Sequence, residues 1–356
     1  MKHFIFLFLF CLLGYDLAFG QQSGAQTLRL ARSVYEQGRL HEIPDLINKN
    51  VASFSKTELV DAYRLLTLSY IYLEEPEKAD ESMQKLLNTD HFYEPNPNVE
   101  PAEFVGLYKT FRTTPVFSYG VKFGGNTTMP LLNSIYYSSS AAPGNGKYAL
   151  KFGFQAGAVF EKEFFSDSKK AFLKKLVFAP EVLYTSRTFG YTNANVFVSD
   201  LAGTSVEDQV VTVKQTWLDI NPVFQLKLSK SKFNPYVGLG PGASLLLSAK
   251  NTMVSTRKGG AGVVSGPDVD FKKSYNAIVP SVIISAGAKY RFGDFYITGE
   301  VRAQYALANP VNKSARSIPD GAFDYQYILP NYKPLNLAIN LGIVIPYFNP
   351  IKLKRK

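Results

Sequence analysis

Residues 277–307, AIVPSVIISAGAKYRFGDFYITGEVRAQYAL, confine the chain to very few folds. Ile278, Val282, Ile284, Ala286, Ala288, Tyr290 and Phe292 fall on one face of an extended chain, and after a break Phe295, Ile297, Val301, Ala303 and Tyr305 do the same. The opposite faces carry Ser281, Ser285, Lys289 and Arg291, then Asp294, Thr298, Glu300, Arg302 and Gln304. Period-two alternation on both sides of a Phe-Gly-Asp turn at Gly293 predicts a two-faced β-hairpin. In a soluble sandwich the charged face meets water. In a transmembrane barrel the oily face meets lipid and the charged face lines the lumen.

Aromatic content bears on that choice: 22 Tyr and 27 Phe against a single Trp. Residues 1–20 read as a signal peptide, with Lys2 and His3 before the apolar run 4–13 and small residues at Ala18 and Gly20, so cleavage is expected before Gln21. After it no apolar run reaches the ~18–20 residues of a membrane helix. Cys11 is the only cysteine and lies in that leader, where Leu9 and Phe10 do not fit a lipidation site. The mature chain then has no thiol and no disulfide framework. The net charge of +10 is scattered over strand faces and turns, apart from Lys352, Lys354, Arg355 and Lys356. This pattern suits a tail that is solvated or near anionic head groups rather than nucleic-acid binding.

From residue 25 to about 113 the periodicity is helical. Leu28, Ala31, Val34 and Tyr35 form the face of a first helix that Gly38 can end, and Ser55-x-x-Glu58 is a capping-box signature. Segment 62–90 resembles a tetratricopeptide helix pair, with Ala62 and Ala79 at the close approach. A compact helical domain over 21–113 is expected, because one or two such units are too few for a solenoid. Thr113-Thr114-Pro115 closes it.

Beyond residue 114 the period is two, and eight strands are expected: about 116–126, 147–160, 173–189, 211–228, 233–249, the two arms of the 277–307 hairpin, and 333–348. Short links at 164–171, 229–232 and 293 alternate with loops of about twenty residues, the rim asymmetry of outer-membrane barrels. Residues 114–350 are therefore read as an eight-stranded antiparallel transmembrane β-barrel, a membrane all-β fold preceded by a small α-helical periplasmic domain, with a basic tail at 351–356. Tyr148, Tyr184, Phe189, Tyr236, Tyr275, Tyr290, Phe292, Tyr305, Tyr347 and Phe348 are candidates for interfacial girdles.

The fifth strand, Asn234-Pro235-Tyr236-Val237-Gly238-Leu239-Gly240-Pro241-Gly242, resembles the "x-Pro-Tyr-x-Gly-x-Gly" strand of the PorT-like outer-membrane β-barrels of Bacteroidota. The resemblance covers about 116–348. It implies an outer-membrane barrel, in a family with some members in the type IX secretion and gliding apparatus.

The three histidines, His3, His41 and His91, all precede the barrel. A histidine-dependent active site on the strands is thereby excluded, and no enzyme is expected. No Walker or dinucleotide motif occurs, and Asp268 with Asp270 make a weak cation site, so no catalytic residue, cofactor or metal is expected. With the oily faces toward lipid, Lys122, Lys151, Glu161, Glu181, Arg187, Asp219, Lys289, Arg291, Glu300 and Arg302 point inward. Glu181, Arg187, Asp219, Lys289, Arg291, Glu300 and Arg302 form the expected structural ion network of a plugged lumen. The expected protein is a non-enzymatic outer-membrane anchor with both mature termini periplasmic. Its helical domain binds a protein partner in a secretion, motility or envelope-assembly complex. A small channel or uptake protein, and an adhesin acting through the long loops, are the alternatives.

Overall fold

A computed structural model describes residues 16–136, 146–164, 170–200, 203–229, 231–259, 262–316 and 328–353, without the side chains of 16–23, 196–200 and 203–205. The apolar leader 4–13, Cys11 and the tail residues Lys354, Arg355 and Lys356 lie outside the described residues. The chain divides into two compact units, one formed by Met1–Val116 with Phe348–Lys356, the other by Phe117–Tyr347.

The first unit holds α1 (Asp16–Glu36), α2 (Ile43–Asn48), α3 (Lys56–Tyr72), α4 (Pro76–Thr89) and α5 (Ala102–Tyr108). Local chemistry sets their ends. Gly38 takes φ 76°, and Gly38 N donates to Tyr35 O while Arg39 N donates to Val34 O, the two bonds of a Schellman stop. At the start of α3, Ser55 N donates to Glu58 at 2.8 Å and Glu58 N to Ser55 Oγ at 3.4 Å, a complete capping box. Ala62 and Ala79 are both buried where α3 meets α4. The apolar stripes of α1 to α4 merge in one core of Leu28, Val34, Ile43, Ile47, Leu66 and Ala79. Met83, Leu86, Phe104 and Phe111 build a second.

The last residues belong to this unit. Phe111 pairs with Lys352, Arg112 N donates to Ile351 O and Leu353 N to Thr110 O, while Gln84 donates to Pro350 O and Lys352 bridges to Asp80. Phe348 stacks on His91 at 4.9 Å and meets Phe92 edge-on. The charge pattern predicts Lys352 in solvent or near lipid; in the structure it stays half-exposed and pairs with Asp80 of α4.

The second unit consists of β1 (Phe117–Ser134), β2 (Lys147–Leu150), β3 (Phe152–Glu161), β4 (Leu176–Asp200), β5 (Gly203–Lys227), β6 (Phe233–Arg257), β7 (Val263–Ser265), β8 (Val269–Asp270), β9 (Ile278–Phe292), β10 (Phe295–Ala306) and β11 (Asn331–Tyr347). Pairing runs β1–β3–β4–β5–β6–β9–β10–β11 and returns to β1, every pair antiparallel, so eight long strands close a ring. The short β2 continues β3 along β4, and β7 and β8 add to β6. Closure leaves the long strands no open edge in the body of the ring. Gly293, at φ 59°, makes the tight turn between β9 and β10.

The long strands overrun their expected ends. β4, β5 and β6 have 25 residues each, about 80 Å of strand, roughly twice what a tilted bilayer crossing uses. The expected twenty-residue loop between 189 and 211 is thus largely paired strand, from Leu176↔Leu226 to Asp200↔Gly203 with one irregularity between Asn193 and Val196. Past the oily zone both strand faces lose the contrast that marks a strand in sequence. Conversely, the link after β3 is longer than expected, spanning 162–175 with a 3-10 turn at Leu173–Lys175.

Candidate functional site

The ring is oily outside and polar inside. On β11, Leu337, Ile339, Leu341, Ile343, Ile345 and Tyr347 are exposed, while Asn336, Ala338, Asn340 and Val344 are buried. The outward set covers about 33 Å of strand, which at a ~45° tilt is about 24 Å of height, close to the ~25 Å apolar band of outer-membrane barrels. The same exposure recurs on every long strand: Val121 and Phe123 on β1, Phe154 on β3, Val182 on β4, Ile220 on β5, Leu239 on β6, Ile284 on β9 and Val301 on β10. Apolar surface continuous around a ring far exceeds the few hundred Å² that water-soluble proteins leave bare. At the rim where β1 starts and β11 ends, Phe117 stacks on Tyr347 at 5.0 Å and on Phe160 at 5.4 Å, and Phe178 lies 5.1 Å from Phe224.

Inside, the charges fall into three levels. Nearest that rim Lys289 donates to Glu161 at 2.6 Å, its ammonium over the Tyr236 ring. At mid-height Lys122 sits 3.2 Å from both Glu181 and Glu300. Arg302 also joins both carboxylates, donating to Glu181 at 2.9 Å and lying 2.8 Å from Glu300. Tyr236 Oη donates to Glu300, Asn221 to Glu181, and Asn340 to Glu300. Further along, Arg187 pairs with Asp219 at 2.8 Å, and Thr185 and Ser244 donate to the same carboxylate. Four cations thus face four carboxylates, each with its charge opposed, as burial demands.

Of the residues read from the sequence, Glu181, Glu300 and Arg302 meet in one cluster, Arg187 with Asp219 in a second, and Lys289 in a third with Glu161. Arg291 is half-buried at the turn end of β9, opposite Tyr296. Lys151, expected inside, reaches Thr212 on the outer face at 2.6 Å, because it sits at the break between β2 and β3. Phe189, Tyr236 and Tyr275 are buried rather than interfacial. Asp268 and Asp270 turn to separate partners, Thr252 and the Lys272 amide.

Above Arg187 the lining changes character. Phe189, Val213, Trp217, Ala249, Met253 and Tyr332 fill the ring as a buried apolar core, joined by Phe271, Tyr275, Val311 and Leu329 from the connections. Tyr275 pairs with Val311, Asn276 N donates to Pro310 O, and Asn312 N to Ser274 O, so two connections are tied together across this core. This apolar plug is not evident from the strand alternation alone. Its signal was in-phase: Phe189, Val213 and Trp217 continue the inward positions of Arg187, Gln215 and Asp219.

No family model matches the chain. No curated protein sequence matches it either. Several solved structures resemble it. Neisserial surface protein A is 12% identical with a TM-score of 0.28, over 65% of this chain and 97% of that one. The N-terminal β-barrel domain of Pseudomonas aeruginosa OprF is 12% identical with a TM-score of 0.22, over 65% and 98%. A major outer membrane protein from Thermus thermophilus is 12% identical with a TM-score of 0.27, over 65% and 99%.

Proposed function

We propose that the protein is a non-enzymatic outer-membrane barrel whose filled interior makes it an anchor for a periplasmic helical domain. The observation that carries this reading is the pairing of an apolar belt around the ring with an interior occupied at every level, by three ion-paired tiers and then by the Trp217 core. A ring of eight strands is only wide enough for side chains. Here buried side chains from opposite strands meet across that width, which supports a filled rather than an open interior. Both passages between the units, at 116/117 and 347/348, join the rim where Phe117 pairs with Tyr347. That rim is assigned to the periplasmic side, the mature termini with it.

In this reading the helical domain is the working part. Its role in this reading is to hold a protein partner of a secretion, motility or envelope-assembly complex at the membrane. Planar-bilayer recording on the purified full chain tests the plug: the expected result is no steady conductance, and a reproducible open level would establish the channel alternative instead. Cross-linked pull-down from intact envelopes, with and without residues 25–113, tests the partner. Loss of captured proteins on deletion is expected, and unchanged capture would move the function to the external connections.

A further inference from the structure

The ring's outer face carries a group of lysines that the anchor role does not use. Lys214 on β5 and Lys250 on β6 are exposed and stand directly opposite each other in register. Like charges in that relation repel across about 5 Å. Lys151 crosses β4, its Cε 3.1 Å from the position a Cβ on Gly190 would take, and its ammonium donates to Thr212 Oγ1 at 2.6 Å. Thr212 is two residues from Lys214 on the same face and is itself opposite Thr252. Because the Thr212 oxygen accepts from Lys151, its hydroxyl proton remains available to an outside acceptor. Among the described residues none of the three lysines forms an ion pair. Asp268, held by Thr252, and Asp270 of β8, opposite Lys250, are the nearby carboxylates, leaving three cations to two anions.

The height of this group on the ring identifies its occupant. Phe152, 81% exposed, adjoins Lys151; Leu247 precedes Lys250 by three residues; Leu218 follows Lys214 by four. The lysines therefore stand immediately beyond the apolar belt, on the side away from Phe117 and Tyr347. A molecule with acyl chains against Phe152 and Leu247 would carry its polar group to this level.

We propose that Lys151, Lys214 and Lys250, with the Thr212 hydroxyl, bind the phosphate of an anionic lipid headgroup in the membrane leaflet on the side of the belt away from Phe117 and Tyr347. The phosphate relieves the Lys214–Lys250 repulsion, accepts from the three ammoniums and Thr212, and its acyl chains cover the belt below. This inference rests on the membrane reading above, and its test separates the two.

Full-length protein is placed in phosphatidylcholine vesicles with or without phosphatidic acid, and bound lipid is counted by native mass spectrometry after extraction. The comparison is with the triple variant Lys151→Gln, Lys214→Gln, Lys250→Gln, and with a control losing equal charge from the helical unit, Lys49→Gln, Lys85→Gln, Lys109→Gln. Flotation of all three proteins with pure phosphatidylcholine vesicles checks insertion; failure of the wild type to float would overturn the membrane reading itself. Given insertion, wild type and control are expected to retain phosphatidic acid over phosphatidylcholine. The lysine variant is expected to lose that preference by about tenfold or more. Excess inorganic phosphate is expected not to displace the lipid. Equal retention by the lysine variant, or displacement by inorganic phosphate, would overturn the proposal.

Discussion

At the scale of single residues, buried charge is the most exacting feature. Arg302 lies between Glu181 and Glu300, and its removal leaves two buried carboxylates facing Lys122 alone. Arg302→Met should therefore cost about 3–5 kcal/mol, read as a lower urea midpoint for the chain refolded in micelles. An unchanged midpoint would show that the cluster is not closed to water. Trp217 is the chain's single Trp and is 1% exposed. Its emission should be blue-shifted and resistant to acrylamide, and Trp217→Ala should cost about 3–5 kcal/mol by the same unfolding measurement. In the helical unit, burial pushes the Tyr93 phenol up to about 12, with Glu100 adding to the shift. The fold favours the neutral phenol, so this contribution is full below pH about 10, the free tyrosine value, and is lost as pH rises through about 12. A tyrosine ring-carbon NMR titration, assigned with Tyr93→Phe, should show that late midpoint; titration near 10 would contradict it. The central charges were legible in the sequence because each sits in an oily alternation that leaves only one place for it. Arg291 obeys the same alternation yet lies at a strand end, and position along the strand is not encoded in the period.

At the scale of elements, the two units differ in how much of their structure is local. The Ser55–Glu58 box and the Gly38 stop need only their neighbours in sequence, so both were readable. The strip after β11 was not: Phe348 and Lys352 gain their meaning from His91, Phe92 and Asp80, more than 250 residues earlier. Phe348→Ala should loosen the helical unit by about 1–3 kcal/mol, seen as faster proteolysis of residues 25–113 while the ring keeps its compact, unheated gel mobility. Equal proteolysis of wild type and variant would mean the strip is an ornament. The far halves of β4 and β5 were hidden for a different reason. Hydrophobic alternation records an oily side and a wet side, and Thr188, Thr192, Thr212 and Lys214 lie above the oily belt, where that contrast ends.

At the scale of the whole molecule, orientation is the consequence to test. Cys11 is the only cysteine in the chain, so cysteines introduced at exposed sites make clean reporters. A membrane-impermeant maleimide should label Thr256→Cys, on the far part of β6, in intact cells, and Lys49→Cys, on the helical unit, only after the outer membrane is opened. The reverse pattern would invert the assignment of the rims. By itself the sequence determined the ring of long two-faced strands, the sign of each face and the helices before them, because alternation and caps are properties of near neighbours. The tertiary structure decided which charges meet, that an apolar core fills the ring above them, that Lys151 turns outward and that residues 350–352 return to α4. Each of these depends on register between strands or on contacts across hundreds of residues, and no period in a single segment carries that information.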